Sequence, residues 1–184
     1  MDLRDVLKKP LLFDGGMGTY FAEKFPGDRC ELANLTHPNE IAAIHEAYLR
    51  AGCRAIKTNT FTVSADLAQK RYDLAEQIVQ AACRLAVQAA EPYKALVFGD
   101  IGPAPAEKDG GRVDIYIRQA ELFLDQGIRY FLVETLPTDE GIPDFAHYLK
   151  TYCPNSFLLV SFAVAFDGIT QEGYTGKELL SADG

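Results

Sequence analysis

Five short apolar runs in this sequence each lead into a polar or charged residue. The run at 11–13 ends in Asp14, and Ala55-Ile56 continues through Lys57 into Thr58 and Asn59. The run at 95–98 reaches Asp100 after Gly99, that at 130–133 ends in Glu134, and that at 157–160 ends in Ser161. Asp14 and Glu134 stand out as a pair. Two carboxylates at one site can hold a cation such as an α-ammonium group, at about 1.5–3 kcal/mol per charge-assisted hydrogen bond. They can equally serve as an acid and a base, as in a glycosidase. The residues alone leave both chemistries open. Gly15, Gly16 and Gly18 free backbone N–H groups to meet an anion, a carboxylate for instance. Gly-Gly after a strand is also an ordinary tight turn, and polar residues are common where any strand ends, which explains Asp100 best of the five.

Other chemistry-bearing side chains are less well placed. His37 precedes Pro38 at a helix start, while His45 and His147 fall inside helical stretches. Cys30, Cys53, Cys83 and Cys153 form no CxxC pair and no metal-ligand spacing. They read as reduced thiols of a cytoplasmic protein, and only Cys30 lies near the predicted mouth.

Strand ends gather into one site only if a parallel sheet carries them. Between the apolar runs lie stretches of helical spacing. Ile41, Ile44, Tyr48 and Leu49 follow Pro38 and stop at Gly52. Leu67, Leu74, Ile78 and Leu85 share a face of one long helix around 64–90. Val113, Ile117, Ala120 and Leu124 form a third set closed by Gly127, and Ile142, Phe145, Ala146 and Leu149 a fourth. The order β-α-β-α-β-α-β-α-β implies parallel strands with helical crossovers. An open doubly wound sheet and a (β/α)₈ barrel both satisfy it. A dinucleotide fold wants its glycine turn to open the first helix directly, whereas here a loop at 20–37 intervenes, which favours the barrel. A complete barrel runs to roughly 250 residues. The 184 residues here supply about five strands, so the expected fold is α/β, an incomplete (β/α)₈ barrel of about the first five βα units.

Composition narrows the partners. The net charge of −8 and pI near 4.9 disfavour nucleic acid, which needs a basic patch. The apolar runs are far shorter than the ~20 residues of a membrane span, and residues 1–10 have no leader-like apolar core.

The motifs together resemble the homocysteine S-methyltransferase family. Asp14-Gly15-Gly16-Met17-Gly18-Thr19 is similar to its first-strand signature, and Glu31-Leu32-Ala33-Asn34-Leu35-Thr36-His37-Pro38 to the loop into its first helix. The stretch at 51–61, through Lys57-Thr58-Asn59-Thr60-Phe61, resembles its second strand most specifically. Gly99-Asp100-Ile101-Gly102-Pro103 and Val133-Glu134-Thr135-Leu136 follow in the family's order. The resemblance covers nearly the whole chain. It implies methyl transfer to the thiol of homocysteine, giving methionine, with the thiol activated on Zn²⁺. It further implies that Asp14 and Glu134 hold the substrate amino group, that the backbone at Gly15 and Gly16 meets its carboxylate, and that Asn59 and Ser161 line the pocket. Arg29-Cys30 and their surroundings lean toward the folate-dependent methionine synthase branch and the bifunctional enzymes fused to a methylenetetrahydrofolate reductase. That implies methyltetrahydrofolate as donor.

The family's zinc ligands are cysteines in a Gly-x-Asn-Cys element after strand six and an adjacent pair near strand eight. Neither element occurs here. Residues 1–184 are therefore expected to be the N-terminal part of such a barrel, with the amino-acid-anchoring half and without the metal half. Such a chain would self-associate through its open side and turn over no substrate. Two other readings stand beside this one: a different barrel enzyme using Asp14 and Glu134 as acid and base, and a non-catalytic half-barrel that binds an amino acid.

Overall fold

The computed structural model describes Lys8, residues 10–105 and residues 111–180. The segment read for a leader falls mostly outside these residues. The described elements are α1 (Met17–Ala22), a 3₁₀ turn (Cys30–Leu32), α2 (Ala33–Thr36), α3 (Pro38–Arg50), β1 (Ala55–Lys57), α4 (Val63–Ala68), α5 (Tyr72–Ala90), β2 (Leu96–Ile101), α6 (Arg112–Asp125), β3 (Tyr130–Leu136), α7 (Ile142–Tyr152), β4 (Phe157–Phe162) and α8 (Gly176–Leu180). A second 3₁₀ turn, Glu91–Tyr93, links α5 to β2.

The strands form one parallel sheet in the order β1-β2-β3-β4. Every neighbour in space is a neighbour in sequence, as helical crossovers between adjacent parallel strands require. The expected first strand is reduced to a single parallel bridge, Phe13 to Ala55, beside β1. Hydrogen bonds from Arg54 N–H to the Leu12 carbonyl (2.8 Å) and from Asp14 N–H to the Ala55 carbonyl (3.0 Å) hold it there. Among the described residues the sheet is open, with β4 at its edge.

Alternation along the strands divides the two faces. One face, with Ile101, Phe131 and Val133, packs against Ile78, Tyr116, Phe123 and Phe145 of the helices. The other gathers Phe13, Ala55, Phe98, Leu132 and Leu159 into a smaller cluster to which none of the described helices contributes. That second face is the side a barrel turns inward.

The helices end where the sequence can bend. At Gly127 (φ +79°) the Ile128 N–H reaches back to the Phe123 carbonyl (3.0 Å) and the Gly127 N–H to Leu124 (2.9 Å). This is the Schellman arrangement, whose left-handed position glycine takes without strain. The predicted helix at 64–90 is two helices instead. Lys70 (φ +57°) takes the left-handed position, with Arg71 N–H bonded to the Asp66 carbonyl (2.9 Å), and the chain turns between α4 and α5. The predicted loop at 20–37 is also corrected: α1 starts directly after Gly16, and α2 follows the 3₁₀ turn. A helix thus follows the glycine turn directly, as in a dinucleotide fold, and it is the sequential strand order that marks an incomplete barrel.

Candidate functional site

Alternation also explains how the polar strand ends meet. Lys57 lies two residues beyond Ala55, Asp100 two beyond Phe98, and Glu134 two beyond Leu132. All three thus continue the inward face past its apolar layer, at the C-terminal end of the sheet. Asp14 joins them beside β1. They open on a cavity of about 430 Å³ that is also lined by Gly15, Gly16, Cys30, Glu31, Asn59, Phe61 and Thr135. That volume suits a small ligand.

Lys57 stands at the centre. Its ammonium donates to Glu134 Oε1 at 2.8 Å, and its backbone N–H donates to Asp14 Oδ2 at 3.0 Å. Asp14 Oδ1 and Asp100 Oδ1 are buried with no hydrogen-bond partner. Burial raises Asp14 to about 6, against the opposing Lys57 N–H and ammonium, with Glu134 adding to the rise. Burial and then the Glu134 carboxylate push Asp100 well above the usual carboxylate range. Burial works against the Lys57 charge too, but Asp100, Glu134 and Asp14 outweigh it and hold the ammonium above the usual lysine value. Three carboxyl groups thus share one internal cation. The cluster can accept a second cation, and its unpaired oxygens are the acceptors such a ligand would use.

A polar layer beneath fixes the floor. Thr58 Oγ1 accepts the Asp100 N–H (3.0 Å), Thr60 Oγ1 donates to the Asp100 carbonyl (2.7 Å), and Gln119 Nε2 donates to that same carbonyl (3.2 Å). The wall at 29–34 is tied on by ions and amides. Asp66, fully buried, pairs with Arg29 and with Arg71 (2.6 Å), and Glu31 Oε1 accepts the Thr62 N–H (3.1 Å). Asn59 and Asn34 interlock across the gap, Asn59 Nδ2 donating to the Cys30 carbonyl and Asn34 Nδ2 to the Asn59 carbonyl, both at 2.7 Å. At Gly15 a Cβ would come within 2.8 Å of the Tyr48 hydroxyl, so glycine is what lets Tyr48 pack on the turn.

Thr135 has φ +57° in β3, where the pairing with β4 shifts register between Val133 and Leu136. A β-branched residue is strained in the left-handed region. The irregularity falls directly after Glu134, where such a bulge re-aims the neighbouring side chain.

Of the residues expected from sequence, Asp14, Gly15, Gly16, Asn59 and Glu134 all line the cavity. The Asn59 amide is committed to the wall, on the Cys30 carbonyl and on Asn34 Oδ1 (3.3 Å). Ser161 lies at the C-terminal end of β4, exposed, and is not among the lining residues. Two residues that sequence reasoning left out of the site are central: Lys57, read only as part of a strand, and Asp100, read as a polar strand end without a role in the site. Their spacing from Ala55 and Phe98 was the available signal.

A family model described as Homocysteine S-methyltransferase matches residues 11–181. The chain belongs to the homocysteine S-methyltransferase family. It is 33% identical over 156 residues to methionine synthase of Mycobacterium tuberculosis, covering 73% of this chain and 13% of that protein. It is 26% identical over 112 residues to betaine–homocysteine S-methyltransferase 1 of Pongo abelii, covering 55% of this chain and 28% of that protein. The chain thus spans only a small part of these curated relatives. Among solved structures it resembles the homocysteine methyltransferase MmuM from Escherichia coli in its metallated form. There the TM-score is 0.77 at 22% identity, over 97% of this chain and 72% of that one. The apo form of MmuM gives a TM-score of 0.74 at 26% identity, over 97% and 69%.

The zinc implied by family resemblance can be tested against the residues of this family member. Among the described residues no three His, Cys, Asp or Glu side chains converge on a metal-sized site. Cys30 lines the cavity, but burial and then the neighbouring Glu31 push its thiol up to about 12, which opposes the thiolate a zinc ligand must be. The described residues do not fit the ion. Also among them, no helix is long and apolar enough to cross a membrane.

Proposed function

We propose that this chain is the amino-acid-anchoring part of a homocysteine S-methyltransferase barrel, spanning residues 1–184. The reaction it serves breaks the bond between a methyl group and its donor and forms one from that methyl to the sulfur of homocysteine; the thiol proton is lost, the demethylated donor takes up a proton, and methionine is the product. The observation that carries this reading is the pair Asp14 and Glu134 on one cavity, with Asp14 Oδ1 buried and unpaired. An α-ammonium group placed there satisfies that oxygen and adds the cation the three carboxyl groups lack. The substrate carboxylate is assigned to the backbone at Gly15 and Gly16, and Asn59 to the cavity wall. Ser161 stays outside this assignment. The thiol-activating Zn²⁺ is assigned to residues other than those described, and methyltetrahydrofolate is the proposed donor, as in the methionine synthase branch.

Calorimetric titration tests the reading. Homocysteine is expected to bind, and 4-mercaptobutanoate, which keeps the thiol and carboxylate but has no amino group, to bind more weakly by about 1.5–3 kcal/mol. Equal affinities would exclude an ammonium site. The sheet edge at β4, with Val160, Val164 and Phe166 exposed beside it, supports self-association of the chain, which sedimentation would read as mass above that of the monomer.

A further inference from the structure

A single residue touches both carboxylates assigned to the substrate amine. Lys57 donates its main-chain N–H to Asp14 Oδ2 at 3.0 Å and its side-chain ammonium to Glu134 Oε1 at 2.8 Å. The two bonds run in opposite directions from one strand end, and the lysine and glutamate side chains are only 18% and 20% exposed. We propose that Lys57 is the positioning residue of the cation subsite: it holds one oxygen of each carboxylate and leaves Asp14 Oδ1 turned to the incoming ammonium. This rests on the reading of the cavity as an amino-acid site and extends it to a residue that need not touch the ligand.

The geometry makes the role specific. Asp14 Oδ2 is taken by the Lys57 N–H while Asp14 Oδ1 is buried and unpaired. Glu134 gives Lys57 its Oε1 and also shares a side-chain hydrogen bond with Asp100. The charged and titratable groups facing Lys57 come from every packed element: Asp14 beside β1, Asp100 on β2, Glu134 on β3, Tyr48 on α3, and Cys30 and Glu31 across the cavity. Three of them are carboxyl groups on inward strand ends, and Lys57 is the cation placed among them. Without its ammonium, like charges would meet in a half-buried space, and the carboxyl groups would hold protons rather than bind a cation. A merely structural ion pair would raise the same midpoints but would not make the loss of affinity selective for the ligand that carries an amino group.

The test uses the whole chain with Lys57→Met and Lys57→Arg, with Lys57→Gln in reserve should the methionine variant not fold. Carboxyl ¹³C NMR of the free protein is read first. In Lys57→Met the Asp14 and Asp100 midpoints are expected to rise by about one pH unit, and in Lys57→Arg to stay near the parent values. Calorimetry follows with homocysteine and 4-mercaptobutanoate. Homocysteine affinity in Lys57→Met should fall about threefold near pH 6.5 and recover as the pH is raised, with 4-mercaptobutanoate little affected. Unmoved midpoints would overturn the proposal, and so would an equal, pH-independent loss for both ligands. Midpoints that move in a chain whose parent form does not bind homocysteine would uphold Lys57 as organiser of the carboxylates while refuting the homocysteine reading.

Discussion

The two ends of the same sheet make an instructive contrast. At the β1–β3 end, Lys57, Asp100 and Glu134 lie under a wall formed by residues 29–34 and bolted down by Asp66 and the Asn34–Asn59 pair. At the β4 end, Ser161 occupies the corresponding place on its strand, two residues beyond Leu159, yet it is exposed. Around it Val160 is 36% exposed and Phe166 wholly so. The strand-end rule applies to both ends, but among the described residues only the first has a covering layer. A polar residue at a strand mouth becomes a site when neighbouring elements take it away from water, because burial is what raises Asp14 and strengthens each charge–charge contact.

The largest effects should fall on stability. Phe131 is fully buried in the helix-facing core, so Phe131→Ala is expected to cost about 3–5 kcal/mol in denaturant unfolding. Phe166→Ala on the bare side should stay within about 0.5 kcal/mol. A comparable loss at Phe166 would mean that this side is covered in solution, and would break the contrast.

Much of this arrangement was legible in the sequence. The strand order, the placing of Asp14 and Glu134 at one mouth and the stops at Gly52 and Gly127 follow from periodicity and from glycine at left-handed positions. The break at Lys70 was not legible, because there a lysine takes a position that glycine usually marks; the Asp66 carboxylate receiving Arg71 at 2.6 Å accompanies the turn. Helices α1 and α2 have six and four residues. Such short segments depend on tertiary packing, Phe21 and Ala33 being buried, rather than on a periodic stripe of their own. Lys57 and Asp100 were left out of the site because burial and partner identity belong to the folded chain. A lysine in a strand says nothing about the glutamate 77 positions later that will meet its ammonium.

Intermediate effects should fall on binding. Glu134→Ala and Asp14→Ala are each expected to weaken homocysteine binding by about 1.5–3 kcal/mol in calorimetry. Ser161→Ala should cost less than about 0.5 kcal/mol, the usual range for a surface change away from such features. If Ser161→Ala matched Glu134→Ala, the β4 mouth would belong to the site and the cavity would extend across the sheet.

The smallest effect is the pH dependence of the ligand-free cavity. Asp14 titrates near 6 because burial raises it, and only its ionised form attracts an ammonium. The ligand's ammonium stays charged across the acidic range, so it contributes no slope there. Moving from pH 7.5 to pH 5.5 lowers the ionised fraction of Asp14 about fourfold, and homocysteine affinity should fall by about the same factor. The sign for folding is opposite. A carboxyl group whose folded value lies above its unfolded one favours the folded state most at low pH, and that contribution is lost as pH rises from about 4 through 6. Asp14→Asn should therefore flatten the binding profile between pH 5.5 and 7.5 and remove this group's share of the stability slope. Ser161→Ala should leave both slopes as they are. A binding profile in Asp14→Asn as steep as in the parent chain would move the titrating group elsewhere. The contrast between the two mouths would then rest on packing alone.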